Sequence, residues 1–334
     1  MKRILKTFCL VLAVLFILTA LAGCSRRRKG DAPIWTGEKK VVMTLGGYNV
    51  YRDFYRYLFL NTKFYFDNGD NSYWQEEGND VTKVTDYVLD SLKATYGMFT
   101  LADKYEITLS DEDEENIDAY IESSREGYSE EEIQQTLDNS FLTEDMLRYV
   151  LEIQQLEYLV YSHIVSDTTG ILKVDDDAVI NAVNTEFVRA THILFTFANE
   201  EEEKTALDSA NAVLEKLKNG EDFETLKEEH SDDTDLKGNT DGYYFTKGEF
   251  KNEFEDTAFS LNEGEISGVV KSDVGYHIIK RLPIEEDYVN DHFEELRTQY
   301  KTALYYKLVD EEAGKLTPEY KKEYTNIQLD SFDK

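Results

Sequence analysis

The chain contains little cysteine, proline, tryptophan and positive charge. Its 334 residues include two cysteines, three prolines and two tryptophans, and 36 Lys and Arg residues stand against 68 Asp and Glu residues. The resulting net charge of −32 argues against a nucleic-acid binder, because such proteins need clustered Lys and Arg to displace phosphate counterions. The apolar run from residue 7 to 22 is shorter than the roughly 20 residues that a membrane-spanning helix requires.

Residues 1–23 have the pattern of a secretory leader. Lys2, Arg3 and Lys6 precede the apolar run, and Leu21-Ala22-Gly23-Cys24 matches the bacterial lipobox. In lipoproteins with this motif the cysteine is lipidated and becomes the new N-terminus. Cys24 is therefore the predicted lipid attachment site, and we expect an anchored protein on the extracytoplasmic face of the cell membrane, as in Gram-positive lipoproteins. An uncleaved signal anchor is the alternative.

Removal of this leader would change the mature chain in two ways. It removes Cys9, so no internal disulfide is predicted. It also removes three positive charges, which leaves a net charge of −35 and a strongly acidic surface that attracts basic segments of unfolded proteins. Residues 24–40 contain the basic cluster Arg26-Arg27-Arg28-Lys29 and are predicted to form a flexible tether at the membrane surface.

Apolar spacing predicts a mostly helical domain over residues 41–185. A hairpin with the turn Gly46-Gly47 comes first, and five segments with helical spacing follow up to residue 165, with a short helix at 175–185. Residues 284–334 contain another amphipathic helix, which cannot bury its apolar face alone and is predicted to pack on the N-terminal domain. A final strand is predicted at 324–329.

Two apolar strands, each with one histidine, delimit a domain over residues 186–283. Val188 to Leu194 carries His192, and Val274 to Lys280 carries His277. Strands of this kind pair readily in one sheet, so we expect the two histidines to lie close together. The predicted fold class is α+β, with this small β-sheet domain inserted into the helical one.

The residues between the two strands leave several chemistries open. Ser231 or Ser272 could serve a hydrolase, but neither lies in a Gly-x-Ser-x-Gly turn. A zinc site would use His192, His277, His230 and Asp233, although their spacing matches no metal motif. A histidine pair with a purely structural role is the third alternative.

The order of residues in this domain resembles that of parvulin-type peptidyl-prolyl isomerases. The matching segments, from first strand to last, are Arg189-Ala190-Thr191-His192-Ile193-Leu194, Asp222-Phe223, Ser231-Asp232, Tyr244-Phe245-Thr246-Lys247-Gly248-Glu249-Phe250, Phe254-Glu255, Ala258-Phe259-Ser260-Leu261 and Gly275-Tyr276-His277-Ile278-Ile279-Lys280. The whole chain resembles PrsA-type foldase lipoproteins, and its helical part is similar to the chaperone domain of SurA-like proteins.

The resemblance implies roles for individual residues. His192, Asp233, His277 and Ser272 match the family's catalytic positions, Phe250 and Phe254 match its proline-binding pocket, and no cofactor or metal is implied. His230 and Asp232 flank the site and are interpreted as structural. The family's pocket leucine is replaced by Gly242, which predicts a looser pocket. The loop 199–203 is acidic where phosphate-directed parvulins are basic, which argues against phosphoserine recognition.

The implied function is a membrane-anchored isomerase and chaperone whose partners are unfolded or partly folded secreted proteins with X–Pro bonds. A non-catalytic holdase with an idle parvulin fold is the alternative. The sequence does not define the oligomeric state, for which a homodimer remains open.

Overall fold

The computed structural model describes Pro33 and residues 35–250, 252–272 and 274–332. The predicted leader and the predicted lipid site Cys24 lie outside these residues. Along the described chain the helices are α1 (Arg52–Asp67), α2 (Val81–Lys104), α3 (Asp111–Ser124), α4 (Glu130–Asn139), α5 (Glu144–Val165), α6 (Asp176–Thr185), α7 (Glu200–Lys218), α8 (Phe223–His230), α9 (Asn252–Ser260), α10 (Glu286–Asp291) and α11 (Phe293–Ala313). The strands are β1 (Val41–Leu45), β2 (Tyr48–Tyr51), β3 (Val188–Thr196), β4 (Tyr243–Phe245), β5 (Ile266–Lys271), β6 (Gly275–Leu282) and β7 (Pro318–Tyr320).

Side-chain caps determine where several of these helices begin. Ser129 and Glu132 form a capping box at α4, in which each side chain accepts the backbone N–H of the other residue. Thr143 accepts the N–H of Met146 at the start of α5, and Ser110 forms a second capping box with Asp113 at α3. The sequence therefore specifies these helix ends locally, before any tertiary packing.

The chain divides into two compact units. The first contains the described residues up to Ile164 together with those from Lys307 onward, and the second contains Val165–Tyr306. The division falls inside α11. The second unit is longer than the predicted segment 186–283, since it also includes α6, α10 and the first part of α11.

The first unit combines helices with a three-stranded antiparallel sheet of order β2-β1-β7. β1 and β2 form the predicted hairpin through Gly46 and Gly47, both at positive φ. β7 pairs with the other edge of β1, with Leu45 opposite Pro318. The predicted final strand at 324–329 is wrong, because the strand is β7 and Lys322–Tyr324 forms a short 3-10 helix.

Trp35 belongs to this folded unit although it lies in the predicted tether 24–40. Its side chain is 2% exposed, and its ring packs edge-on against Tyr149 at 5.3 Å and stacks on Tyr51 at 6.0 Å. Its indole N–H donates to the carbonyl of Glu38 at 2.8 Å. The ordered packing therefore begins before the first strand, because a buried indole with a satisfied N–H anchors the segment.

The second unit is built on a four-stranded antiparallel sheet of order β4-β3-β6-β5. One face carries Ile193, Phe195, Tyr276 and Ile278, which are buried against α7 and α8. The opposite face carries Val188, Ala190, Phe245 and Ile279, which pack with Phe254 and Ala258 of α9. Because side chains alternate along a strand, this second face also receives His192 and His277. The predicted α+β class is confirmed.

Helices α6 and α11 pack together within the second unit. Val179 and Val183 of α6, Leu296 of α11 and Tyr244 of β4 share one buried cluster. Arg297 donates to the carbonyl of Val174 at 3.1 Å and pairs with Asp176. The first half of α11 therefore meets the predicted segment 41–185 through α6, through the carbonyl of Val174, and through the carbonyl of Val165, to which Lys301 donates at 3.2 Å. The structure assigns all of these residues to the second unit.

Within the described residues, no helix is long and apolar enough to cross a membrane.

The last turns of α11 approach α2 closely at Gly97. A Cβ atom at position 97 would lie 2.7 Å from the carbonyl oxygen of Val309 and 2.9 Å from the backbone nitrogen of Ala313. Such a separation requires backbone movement in one of the helices. Gly97 therefore sets the distance between α2 and the end of α11 in the first unit.

Gly97→Ala is predicted to destabilise the first unit. Overpacking by the added methyl group should lower the free energy of unfolding by about 1–3 kcal/mol. The better helix propensity of alanine offsets part of this loss. Gly268→Ala on β5 is the matched control, since nothing lies within 4 Å of its Cβ position. Denaturant unfolding of both variants measures the difference, and equal stability of the two would contradict the close approach.

Candidate active site

His192 and His277 occupy adjacent strands on the same face of the second sheet. In the register of β3 and β6, His192 lies opposite Ile279 and His277 lies opposite Leu194, so the histidines are diagonal neighbours. Their rings are nearly parallel, with centroids 5.1 Å apart, and the two Nδ1 atoms are 2.9 Å apart. Both side chains are buried. The predicted proximity of the two histidines is confirmed.

A carboxylate and a hydroxyl extend the histidine pair at its two ends. Asp233 Oδ2 lies 2.6 Å from Nε2 of His192, and Ser272 Oγ lies 2.7 Å from Nε2 of His277. The resulting chain Asp233–His192–His277–Ser272 is called the histidine relay below. The structure thus brings together all four residues that match the catalytic positions of the family that the domain resembles.

Asp233 determines the direction of the hydrogen bonds in this relay. An ionised carboxylate only accepts, so Nε2 of His192 must donate to it. With both imidazoles neutral, Nδ1 of His192 then accepts from Nδ1–H of His277, and Nε2 of His277 accepts from the hydroxyl of Ser272. The reverse order would leave a ring nitrogen lone pair facing a carboxylate. In this arrangement each of the three hydrogen bonds has one proton, and every ring nitrogen of the two histidines has a partner.

The hydrogen bond from His192 lowers the pKa of Asp233 to about 2, against the opposing effect of burial, and a second hydrogen bond from Tyr243 also lowers the pKa. The hydroxyl of Tyr243 donates to the same Oδ2 atom at 3.0 Å. Burial, and then the neighbouring carboxylate of Asp233, raise the pKa of Tyr243. At neutral pH the site therefore holds a fixed negative charge and a phenol that remains a donor.

Aromatic side chains form an apolar wall next to the relay. The ring of Phe254 on α9 meets His192 edge-on at 5.2 Å and His277 at 5.5 Å. Phe250 lies 5.2 Å from Phe254 and 5.4 Å from Tyr243 between ring centroids. Phe254 is buried and Phe250 is only partly buried, so the wall faces both the relay and the solvent.

The loop that carries Phe250 is fixed by a buried carboxylate. Glu255 Oε2 accepts the backbone N–H groups of Gly248, Glu249 and Phe250, at 2.7, 3.1 and 3.3 Å. Three successive N–H groups around one anion form a compact nest. The position of Phe250 is therefore set by Glu255, which follows Phe254 in the sequence.

Two buried cations hold the loop before β4. Lys227 donates to the carbonyl of Asn239 at 2.8 Å, and Arg189 donates to the carbonyls of Thr240 at 3.0 Å and Asp241 at 2.6 Å. Their charges are compensated by Glu224 and Glu285, respectively. Three consecutive carbonyls are thus bound by cations, which fixes the backbone leading into Gly242.

The expectation that Gly242 loosens the pocket is not supported by the geometry. Gly242 has φ +70°, and a Cβ there would lie 2.6 Å from the carbonyl oxygen of Ala190. The backbone therefore has no room for a side chain at this position. The next residue, Tyr243, lines the site instead, because it lies opposite Ala190 on the face that carries His192. The sequence signal for this role was the spacing of Tyr243 and Phe245: residues two apart on a strand have their side chains on the same face.

The remaining candidates take structural positions. Ser231 Oγ accepts the N–H groups of Leu194 and Asp233, and Asp232 accepts the N–H of Thr196 at 2.8 Å. His230 lies 3.2 Å from Nζ of Lys216. Ser231 and Ser272 are both buried, so neither hydroxyl is positioned as a nucleophile for a substrate in solution. Among the described residues, no three His, Cys, Asp or Glu side chains are grouped to hold a metal ion.

The arrangement combines an apolar wall with fixed, buried hydrogen-bonding groups and an ionised carboxylate. It offers recognition of a flat apolar ring and a preorganised polar environment for a polar group held next to it. Such a site suits a reaction that changes the shape of a substrate and breaks no covalent bond.

Comparison with known proteins gives matches over the domain and over most of the chain. A family model described as a PPIC-type PPIase domain matches residues 192–282. The foldase protein PrsA of Oceanobacillus iheyensis is 31% identical over 249 residues, which cover 71% of this chain and 76% of that protein. The foldase protein PrsA of Caldanaerobacter subterraneus is 30% identical over 287 residues, or 82% of each chain. The crystal structure of PrsA from Bacillus anthracis is 24% identical, covers 67% of this chain and 96% of its own, and has a TM-score of 0.30.

The lowered pKa of Asp233 predicts an acid-dependent loss of stability. Its ionised form stabilises the fold above the pKa of an unfolded Asp, near 4, and this contribution is lost as the pH falls towards 2. Asp233→Asn should therefore lower the free energy of unfolding at pH 7 by at most about 2 kcal/mol, since the carboxylate is partly exposed to solvent.

Urea unfolding between pH 2 and pH 7 measures this effect. The difference between wild type and Asp233→Asn should shrink towards zero at the acid end. Asp235→Asn is the matched control, because this exposed carboxylate lies in the same loop. A difference that is constant across the pH range would show that the ionised carboxylate is not the cause.

Proposed function

The chain belongs to the PrsA family of foldase proteins, and on this premise we propose that it is a lipid-anchored isomerase and chaperone for secreted proteins outside the cytoplasmic membrane. The PPIC-type domain at residues 192–282 makes it a peptidyl-prolyl cis-trans isomerase. The observation that carries the proposal is its identity with foldases over more than two thirds of their length.

The proposed mechanism requires no covalent step. Resonance in the amide gives rotation about an X–Pro bond a barrier of about 18–20 kcal/mol. Phe250 and Phe254 bind the proline ring and remove water from the amide, while groups of the histidine relay interact more strongly with the twisted amide than with the planar one. In this proposal His192, Asp233, His277 and Ser272 form the catalytic group, and Asp233 supplies its fixed charge.

A patch of aromatic side chains on the first unit supports a chaperone role in addition to catalysis. It consists of Phe64, Tyr65, Phe66, Tyr73, Trp74 and Tyr87, and is called the aromatic patch below. Phe64 is 47%, Tyr65 57% and Tyr87 51% exposed. Tyr65 stacks on Tyr87, with centroids 6.1 Å apart. Exposed, contiguous apolar surface of this kind is typical of protein-binding sites.

The aromatic patch is held in place from below by a buried carboxylate. Asp67 accepts the indole N–H of Trp74 at 2.7 Å, the ammonium group of Lys63 at 2.9 Å and the backbone N–H of Gly69 at 2.8 Å. These hydrogen bonds tie the segment after α1, which carries Tyr73 and Trp74, to the end of that helix. A preformed surface loses less entropy when it binds an unfolded chain, and this favours the holdase component of the proposed function.

Replacing exposed rings of the aromatic patch is predicted to separate the two activities. Tyr65→Ser combined with Tyr87→Ser should reduce the protection of a denatured model protein from aggregation, because apolar contact area is lost. The isomerisation rate of a short X–Pro peptide should stay at the wild-type value. Tyr128→Ser is the matched control, since Tyr128 is 64% exposed on the same unit but outside the patch. Unchanged protection in the double variant would remove the patch from the proposal.

Lipid attachment is predicted to depend on Cys24. The proposal rests on the run Leu21-Ala22-Gly23-Cys24 after an apolar leader. In cells fed a labelled fatty acid, Cys24→Ala should lose the label, whereas Cys9→Ala, the other cysteine of the chain, should keep it. Label on the Cys24→Ala chain would overturn the proposed anchor. It would not bear on the assignment of isomerase activity, which rests on other residues.

A further inference from the structure

Tyr243 occupies a distinctive position in the isomerase site. It begins β4 opposite Ala190, on the sheet face that also carries His192. Its hydroxyl lies 3.0 Å from Oδ2 of Asp233, the oxygen that accepts from His192 at 2.6 Å. Its ring centroid lies 5.4 Å from that of Phe250 and 6.2 Å from that of His192. One side chain thus contacts both the charged end of the histidine relay and the apolar wall.

The hydroxyl restricts what Asp233 can do. Oδ2 receives two donors, and Oδ1 receives the backbone N–H of Asp235 at 2.9 Å. With three donors around it, the carboxylate has one orientation and remains an acceptor. Because the direction of the relay follows from this acceptor, the donor from Tyr243 bears on the order of the hydrogen bonds as far as Ser272.

The backbone explains why the ring comes from position 243. The carbonyls of Asn239, Thr240 and Asp241 are held by Lys227 and Arg189, and Gly242 lies against Ala190 with no space for a side chain. The first side chain after this constrained segment that points to the relay is that of Tyr243. Gly242 contributes no side chain to the apolar wall, and the ring of the neighbouring Tyr243 lies beside Phe250 of that wall.

We propose that Tyr243 is a positioning and substrate-binding residue of the isomerase: its hydroxyl fixes Asp233 as the terminal acceptor of the histidine relay, and its ring completes the proline pocket beside Phe250. The two contributions are separable, because the hydroxyl and the ring can be removed one after the other. A tyrosine that only packs in a strand would affect stability without changing the kinetics in this pattern.

The test compares Tyr243→Phe and Tyr243→Ala in the full chain, with a chromogenic X–Pro peptide as substrate. Tyr243→Phe should lower kcat about 3- to 10-fold with KM within twofold, because one hydrogen bond to a charged group is lost and the ring is kept. Tyr243→Ala should also raise KM severalfold. Tyr244→Phe is the matched control: it removes the neighbouring hydroxyl on the opposite sheet face, where Tyr244 stacks on Tyr288 at 4.0 Å, and should leave both constants unchanged.

A double-mutant cycle shows whether Tyr243 acts through Asp233. In an Asp233→Asn background, Tyr243→Phe should have little further effect on kcat, because the carboxylate that it holds is absent. Independent effects in the two backgrounds would overturn the positioning role. Wild-type kcat in Tyr243→Phe would overturn it as well.

A readout independent of activity covers variants that are too slow or too unstable to assay. The downfield proton resonance of His192 Nε2–H reports its hydrogen bond to Asp233. Tyr243→Phe, which preserves the shape of the side chain, should shift this resonance, since both donors share Oδ2. Tyr244→Phe should leave it in place. An unchanged resonance in Tyr243→Phe would contradict the proposal whatever the rates are.

Discussion

The hydrogen bond between the two Nδ1 atoms of His192 and His277 constrains the whole isomerase site. Two buried imidazoles can form it only if one donates and the other accepts, so their outer nitrogens must meet partners of opposite kind. An ionised Asp233 at one end and a hydroxyl at the other, that of Ser272, meet this requirement. A buried polar atom left without a partner costs about 1–3 kcal/mol, so the buried hydrogen bonds of these four residues depend on one another.

The same unit shows how an acidic protein uses a few buried cations. Arg189 and Lys227 are almost fully buried and bind backbone carbonyls as well as carboxylates. A buried charge is tolerated only when it is paired and hydrogen-bonded, and here the satisfied groups include the backbone of the loop that leads into β4. Thus a charge that is costly to bury fixes the geometry of a loop that has little apolar surface of its own.

Much of the site could be predicted from the sequence, because strand periodicity places His192 and His277 on one face and the order of residues in the domain adds Asp233, Ser272, Phe250 and Phe254. The role of Tyr243 could not be predicted, since it depends on the register of β4 and on the lack of space at Gly242.

Helix positions were predictable from apolar spacing and caps. The particular helix that covers the first half of α11 was not, because an amphipathic stripe shows that a face is buried but not what covers it. The last strand was misplaced because β7 begins with a proline, which a sheet edge tolerates at a strand's first position.

The pairing of β7 with β1 has a consequence for the order in which the chain can fold. The second unit is one continuous stretch, whereas the sheet of the first unit needs strands from opposite ends of the chain. During synthesis, all residues of the second unit emerge before β7 does. The entropic cost of closing so long a loop falls when the intervening stretch has already become compact. The second unit, which contains the isomerase domain, can therefore fold on a nascent chain before β7 is available to complete the sheet of the first unit.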